Sequence, residues 1–182
     1  DGRVVQMVNG TYQSGTDTLS VDYAYIAVTQ FFALGDLTGD GVGDAAVMFL
    51  ENYGGTGNFG VLAVYANVAG EPVFLDSLLI DDRPIPNSIS LINGEIFLDV
   101  VVHGFEDGGC CPTLQTTQTY ALVKNQLRLV NYTTVAPTGV KREIVVTSPV
   151  DNTEQLTRSF QLTGSVSIAP FENNLSFFVY DE

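Results

Sequence analysis

The sequence predicts a mainly β protein, a twisted antiparallel sheet domain with little helix followed by a shorter β segment. Two observations lead there. Short β-branched and aromatic runs recur between turn signals, and almost no stretch carries helical spacing. Asparagine-glycine pairs also sit between apolar runs, and both residues tolerate the positive φ that a two-residue hairpin turn demands.

Taken in chain order, the first candidate strand is Val4–Val8, closed by the turn Asn9-Gly10. Val21–Phe32 follows, and Ala45–Leu50 begins where a glycine-rich stretch turns apolar. Gly60–Asn67 and Val73–Ile80 are the next two runs. Ser88–Ile92 and Glu95–Val102 flank Asn93-Gly94 and form the strongest hairpin signal in the chain. Thr116–Val123 and Leu127–Asn131 make another hairpin, turning at Lys124-Asn125. The pattern then pauses at VAPTGVKR, where proline, glycine and two adjacent basic residues suit an exposed connection. The expected organisation is a β-rich domain over 1–134, a linker over 135–142, and a β segment over 143–182.

Composition restricts the function classes. The chain has 182 residues, 45% of them hydrophobic and 15% charged, a folded composition and not a disordered one. Seven basic residues against 21 acidic ones leave a formal charge of −14. Phosphate backbones and anionic membranes would be repelled along most of such a surface, so nucleic acid is not an expected partner. No apolar run approaches the ~18 residues that span a bilayer, so no transmembrane segment is expected. The start has no signal-peptide character, and any export signal is expected to have been removed ahead of this numbering.

GDLTGDGVGDAAV, residues 35–47, is the first stretch that carries chemistry. Calcium takes six to eight oxygens, and a loop supplies them by placing carboxylates at alternate positions around a glycine-enabled bend. Asp36, Thr38, Asp40 and Asp44 fall at positions 1, 3, 5 and 9, with the Val42 carbonyl at position 7 and Gly41 at position 6. Val47 stands where an EF-hand requires glutamate, which excludes that motif. The stretch resembles the nine-residue calcium loop of FG-GAP repeats in integrin-type propellers, with Thr38 in place of the usual Asp or Asn. Calcium is the cofactor this resemblance implies. The alternative is that the three aspartates form Asx turns and cap backbone amides.

HGFEDGGCCPT, residues 103–113, holds the only two cysteines and the only histidine. Cys110 and Cys111 most simply pair with each other, and two free thiols are the alternative. A third use is catalytic: His103, Glu106 and Asp107, with the cysteines, could serve an envelope hydrolase. No GxSxG or HExxH pattern accompanies them, which disfavours an enzyme. A further class is a receptor for a small ligand, with Tyr23, Tyr25, Tyr53 and Tyr65 on a concave face.

Over residues 1 to about 132 the ordered series GDLTGDGVGDAAV, GGTGNFGVLAV, LLIDDRPI, SLINGEIFLDVVVHG, CCP and TYALVKNQLRLV resembles an uncharacterised family of exported bacterial domains, often lipoproteins. Residues 144–182, with IVVTSPVDN, FQLTGSV and PFENNLSFFVYD, resemble the opening of an immunoglobulin-like domain of spore-germination and other envelope proteins. The second resemblance implies a partial immunoglobulin-like β-sandwich. Together they imply an extracytoplasmic envelope module, secreted or lipid-anchored, with a binding or structural role. Because 143–182 is too short for a whole sandwich, the chain is expected to be a fragment, or to close its open edges by homo-oligomer formation or strand exchange.

Overall fold

A computed structural model describes residues 4–104, 106–135, 139–149 and 159–167. It is all β in antiparallel sheets, with no helix among the described residues. The chain divides into two compact units, Asp1–Asn131 and Tyr132–Glu182.

The first unit is built from two meanders. β1 (Thr11–Ser14), β2 (Ala24–Gly35), β3 (Asp44–Asn52), β4 (Phe59–Val68) and β5 (Glu71–Asp82) form one sheet in sequence order. β6 (Ile85–Ile92), β7 (Glu95–Val102), β8 (Leu114–Val123) and β9 (Gln126–Val135) run in order through the other. The chain passes between sheets at a two-residue corner, Arg83-Pro84. Gly60 makes that corner possible, since a Cβ there would lie 2.2 Å from Pro84 Cγ.

Alternation decides which residues meet. Along β7 every second side chain is buried, and Ile96, Leu98 and Val100 are fully so. Ala46 and Met48 of β3 and Leu62 and Val64 of β4 face them from the first sheet, joined by Leu37, Tyr120 and Leu127 in one core. Burying each larger aliphatic side chain contributes about 1.5–3 kcal/mol, and this layer is what holds the sheets together.

The turns explain the connectivity. Asn93 and Gly94 have φ values of 53° and 79°, as the hairpin signal requires. Asn9-Gly10, Ala69-Gly70 and Lys124-Asn125 likewise place both residues at positive φ. The first expected strand is displaced: Val4–Val8 makes only the isolated pair Val8↔Thr11, and the strand is Thr11–Ser14. Thr11–Ser14 has the edge of β2 to pair with, from Thr11↔Ala27 to Ser14↔Ala24, whereas Val4–Val8 has no ladder beyond Val8.

In the second unit, β10 (Lys141–Arg142) pairs with the last residues of β9 through Lys141↔Val135 and Arg142↔Thr134. β11 (Ile144–Ser148) and β12 (Thr163–Val166) form an antiparallel pair with a bulge between Val146 and Ser148. The stretch 135–142 thus contains the end of β9 and all of β10. Residues 136–138 and the third expected run of this segment, NNLSFFVYDE, lie outside the described residues.

Candidate functional site: two loop clusters and an open apolar groove

The acidic stretch connects β2 to β3, and its aspartates fasten the connection. Asp44, 1% exposed at the start of β3, receives the Leu37 and Thr38 amides on Oδ2, each at 2.9 Å, and the Asn67 amide on Oδ1 at 3.0 Å. Asp36 receives Gly39 N–H at 2.7 Å and Gly41 N–H at 2.8 Å, and Asp40 receives Val42 N–H at 2.8 Å. Burial pushes the Asp44 carboxyl up, but the amides of Asn67, Leu37 and Thr38, helped by the Thr38 hydroxyl, outweigh it and hold the group below its ordinary value. Asp36 and Thr38 border a hollow of about 480 Å³ beside the Asn93-Gly94 turn. Asp40, Val42 and Asp44 lie outside that lining, and the carboxylates of Asp36, Asp40 and Asp44 all accept backbone amides. Among the described residues no three His, Cys, Asp or Glu side chains gather as a metal-holding group.

Three motifs that are far apart in sequence meet around Arg83. The Arg83 guanidinium donates to Asp82 Oδ2 at 2.6 Å, to the Gly109 carbonyl and to the Thr56 carbonyl. Its backbone N–H bonds the Asn58 carbonyl at 2.6 Å. Arg83 therefore fastens the 53–58 loop and the 103–113 loop to the corner between the sheets. His103 lies beside it: Asp81 Oδ2 accepts the His103 backbone N–H at 2.6 Å and contacts His103 Nδ1 at 2.9 Å. That hydrogen bond, opposed by burial and aided by the charges of Asp81 and Asp107, raises the imidazole above its ordinary value.

Within the same loop, Asp107 accepts the Gly104 amide at 2.8 Å and the Thr113 amide and hydroxyl, both at 2.7 Å. The Gly104 amide and the Thr113 hydroxyl lead in holding its carboxyl low, with burial opposing them. Cys110 and Cys111 are joined, with S–S at 2.12 Å, so neither is a free thiol. Glu106 is exposed. Asp107 and the two cysteines shape their own loop, whereas His103 is held through Nδ1 by Asp81 of β5 and its buried Nε2 has no hydrogen-bond partner among the described residues.

The third place is the face of the first sheet turned away from the core. Register puts Ile26 of β2 opposite Glu51, Phe49 opposite Val61, and Tyr65 opposite Phe74. With Val61 and Leu79, these side chains floor a groove of about 660 Å³, bordered by Tyr12, Tyr53 and the segment holding Val4, Val5 and Met7. That volume lies in the range of small-molecule sites. Tyr65 and Phe74 meet edge to face at 5.7 Å, and Phe49 lies 6.4 Å from Tyr65. Glu51 is the one charged side chain lining the groove among the described residues, and Tyr53 Oη donates to its Oε2 at 2.7 Å. Burial first, then the charge of Glu51, raises the Tyr65 hydroxyl above its ordinary value.

No family model, curated protein or solved structure matches this chain. Of the four tyrosines expected on a concave face, Tyr53 and Tyr65 line the groove. Tyr25 neighbours the groove residue Ile26 along β2 and so takes the opposite face, and Tyr23 precedes the strand. Tyr12, Phe49, Glu51 and Phe74 line the groove as well, beyond the tyrosines expected from sequence. The signal was present in β3 and β4, AAVMFLE and FGVLAVYA, which are apolar on both alternating faces although one face alone meets the core.

Proposed function

We propose that this chain is an extracytoplasmic binding module of a bacterial envelope, and that its ligand seat is the groove on the open face of the first sheet. The observation that carries the reading is an apolar and aromatic hollow of about 660 Å³ on a sheet whose other face already closes the core. A strand surface of this kind is costly to leave in water unless something occupies it. The rest of the unit is arranged as a frame. Hydrogen-bonded loops stiffen the connections, while the groove floor is fixed by the ladders of β2 to β5.

The joined cysteines support an oxidising compartment, and the formal charge of −14 disfavours nucleic acid or an anionic surface as the ligand. The test is a backbone amide NMR titration with 1-octanol. Shifts centred on Phe49, Glu51, Val61, Tyr65 and Phe74 are expected, and Val61→Trp, which fills the floor, should abolish them with the far-UV spectrum unchanged. Shifts scattered over the surface, or shifts that survive Val61→Trp, would remove the groove as the seat.

A further inference from the structure

We propose that the groove selects an organic cation carried on an apolar body, its positive group received by Glu51 and the aromatic rings beside it and its apolar part lying along β4 and β5. The inference rests on the groove being a ligand seat and adds the chemical class of the ligand.

Three observations lead to it. Glu51 is the single charge in the lining, set among apolar walls that would otherwise suit a neutral ligand. Its position is held: Tyr53 Oη bonds Oε2 at 2.7 Å, the β3 backbone is paired on both sides, and Phe49 stands two residues along β3 on the same face. The aromatic group continues from Phe49 to Tyr65 and Phe74 at the far end of the groove, since Glu51 pairs with Phe59 and Tyr65 lies six residues further along β4. A carboxylate beside aromatic side chains, here Tyr53 and Phe49, is a combination that recognises an ammonium group, because ring quadrupole and carboxylate charge attract the same ion. An anion meets the reverse situation, facing Glu51 in a chain that carries a formal charge of −14. The raised Tyr65 hydroxyl, with Glu51 as its second cause, fits a carboxylate whose field reaches across the groove.

The remaining lining sets the second half of the specificity. Val61 and Leu79 extend the floor away from Glu51 and offer no hydrogen-bonding side chain, so the ligand's body must be apolar. Ser77 is the one small hydroxyl on that side.

Calorimetric titration of the 182-residue chain with octyltrimethylammonium, 1-octanol and octanoate, each below its micelle-forming concentration, tests the inference. The cation should bind with one site per chain, roughly tenfold more tightly than the alcohol, and the carboxylate more weakly than either. Glu51→Gln should erase the preference for the cation and leave the alcohol's affinity unchanged. Glu71→Gln, at the exposed start of β5 and outside the groove, should leave all three affinities as they were, which separates Glu51 from the general negative charge. Thermal melts of both variants establish that they are folded. Equal affinity for cation and alcohol, or a preference that survives Glu51→Gln, would overturn the cation assignment while leaving the groove as a site. No binding of any of the three would overturn the site and the cation together.

Discussion

At the scale of single residues, Asp44 is where burial and hydrogen bonding oppose each other most directly. Its carboxylate is 1% exposed and is bonded by three backbone amides, so Asp44→Ala leaves three donors without their acceptor and is expected to cost about 3 kcal/mol or more in urea unfolding. The folded carboxyl is held below the ordinary 3.8, so its stabilising effect is complete above that value and is lost as pH falls through the lower, folded one. Acid titrations of stability should therefore lose a step below pH 3.8 in the Asp44→Asn variant. His103 runs the other way. Its folded value is raised above 6.5 by the Asp81 hydrogen bond, so the contribution is complete below 6.5 and declines as pH rises through the raised value. NMR titration of the imidazole should give a midpoint above 6.5, and Asp81→Asn should bring it down; an unchanged midpoint in that variant would remove Asp81 as the cause. The sequence made Asp44 visible as a loop carboxylate. It gave no sign that Asn67, 23 residues on, supplies one of its amides, because that bond exists only once β4 lies beside β3.

At the scale of elements, hairpins were the most legible feature and corners the least. Asn93-Gly94 announces its turn because few residue pairs accept positive φ at both positions. Arg83, at φ 51°, occupies an equally unusual conformation without any such signature, since its position is secured by partners that the sequence places 27 residues before it and 26 after it. Arg83→Ala should cost about 1–2 kcal/mol, as the freed carbonyls of Thr56 and Gly109 lie where water can reach them. The more specific expectation is local. Hydrogen exchange should quicken in 53–58 and 103–113 and stay as it was in 36–43, whose amides are fastened by Asp36, Asp40 and Asp44. Equal quickening in all three loops would mean that Arg83 acts through the whole unit.

At the scale of the first unit, two apolar layers lie on the two faces of one sheet, and only one of them is closed by the other sheet. Periodicity could find the strands but could not say which apolar face closes the core, because in β3 and β4 both faces read alike; the second sheet decides it by packing Ile96, Leu98 and Val100 against Leu62 and Val64. The difference is measurable. Leu62 is 0% exposed within the core, so Leu62→Ala should cost about 2–5 kcal/mol in chemical denaturation. Phe74, on the groove face, is 55% exposed, so Phe74→Ser removes about half of a phenylalanine's burial and should cost about 1–2 kcal/mol, less than Leu62→Ala. If Phe74→Ser instead destabilises the isolated protein as much as Leu62→Ala does, the groove face is a second core covered in solution, and a ligand seat there would have to be abandoned. A clearly smaller cost for Phe74→Ser than for Leu62→Ala would establish a sheet that spends one face on folding and keeps the other open.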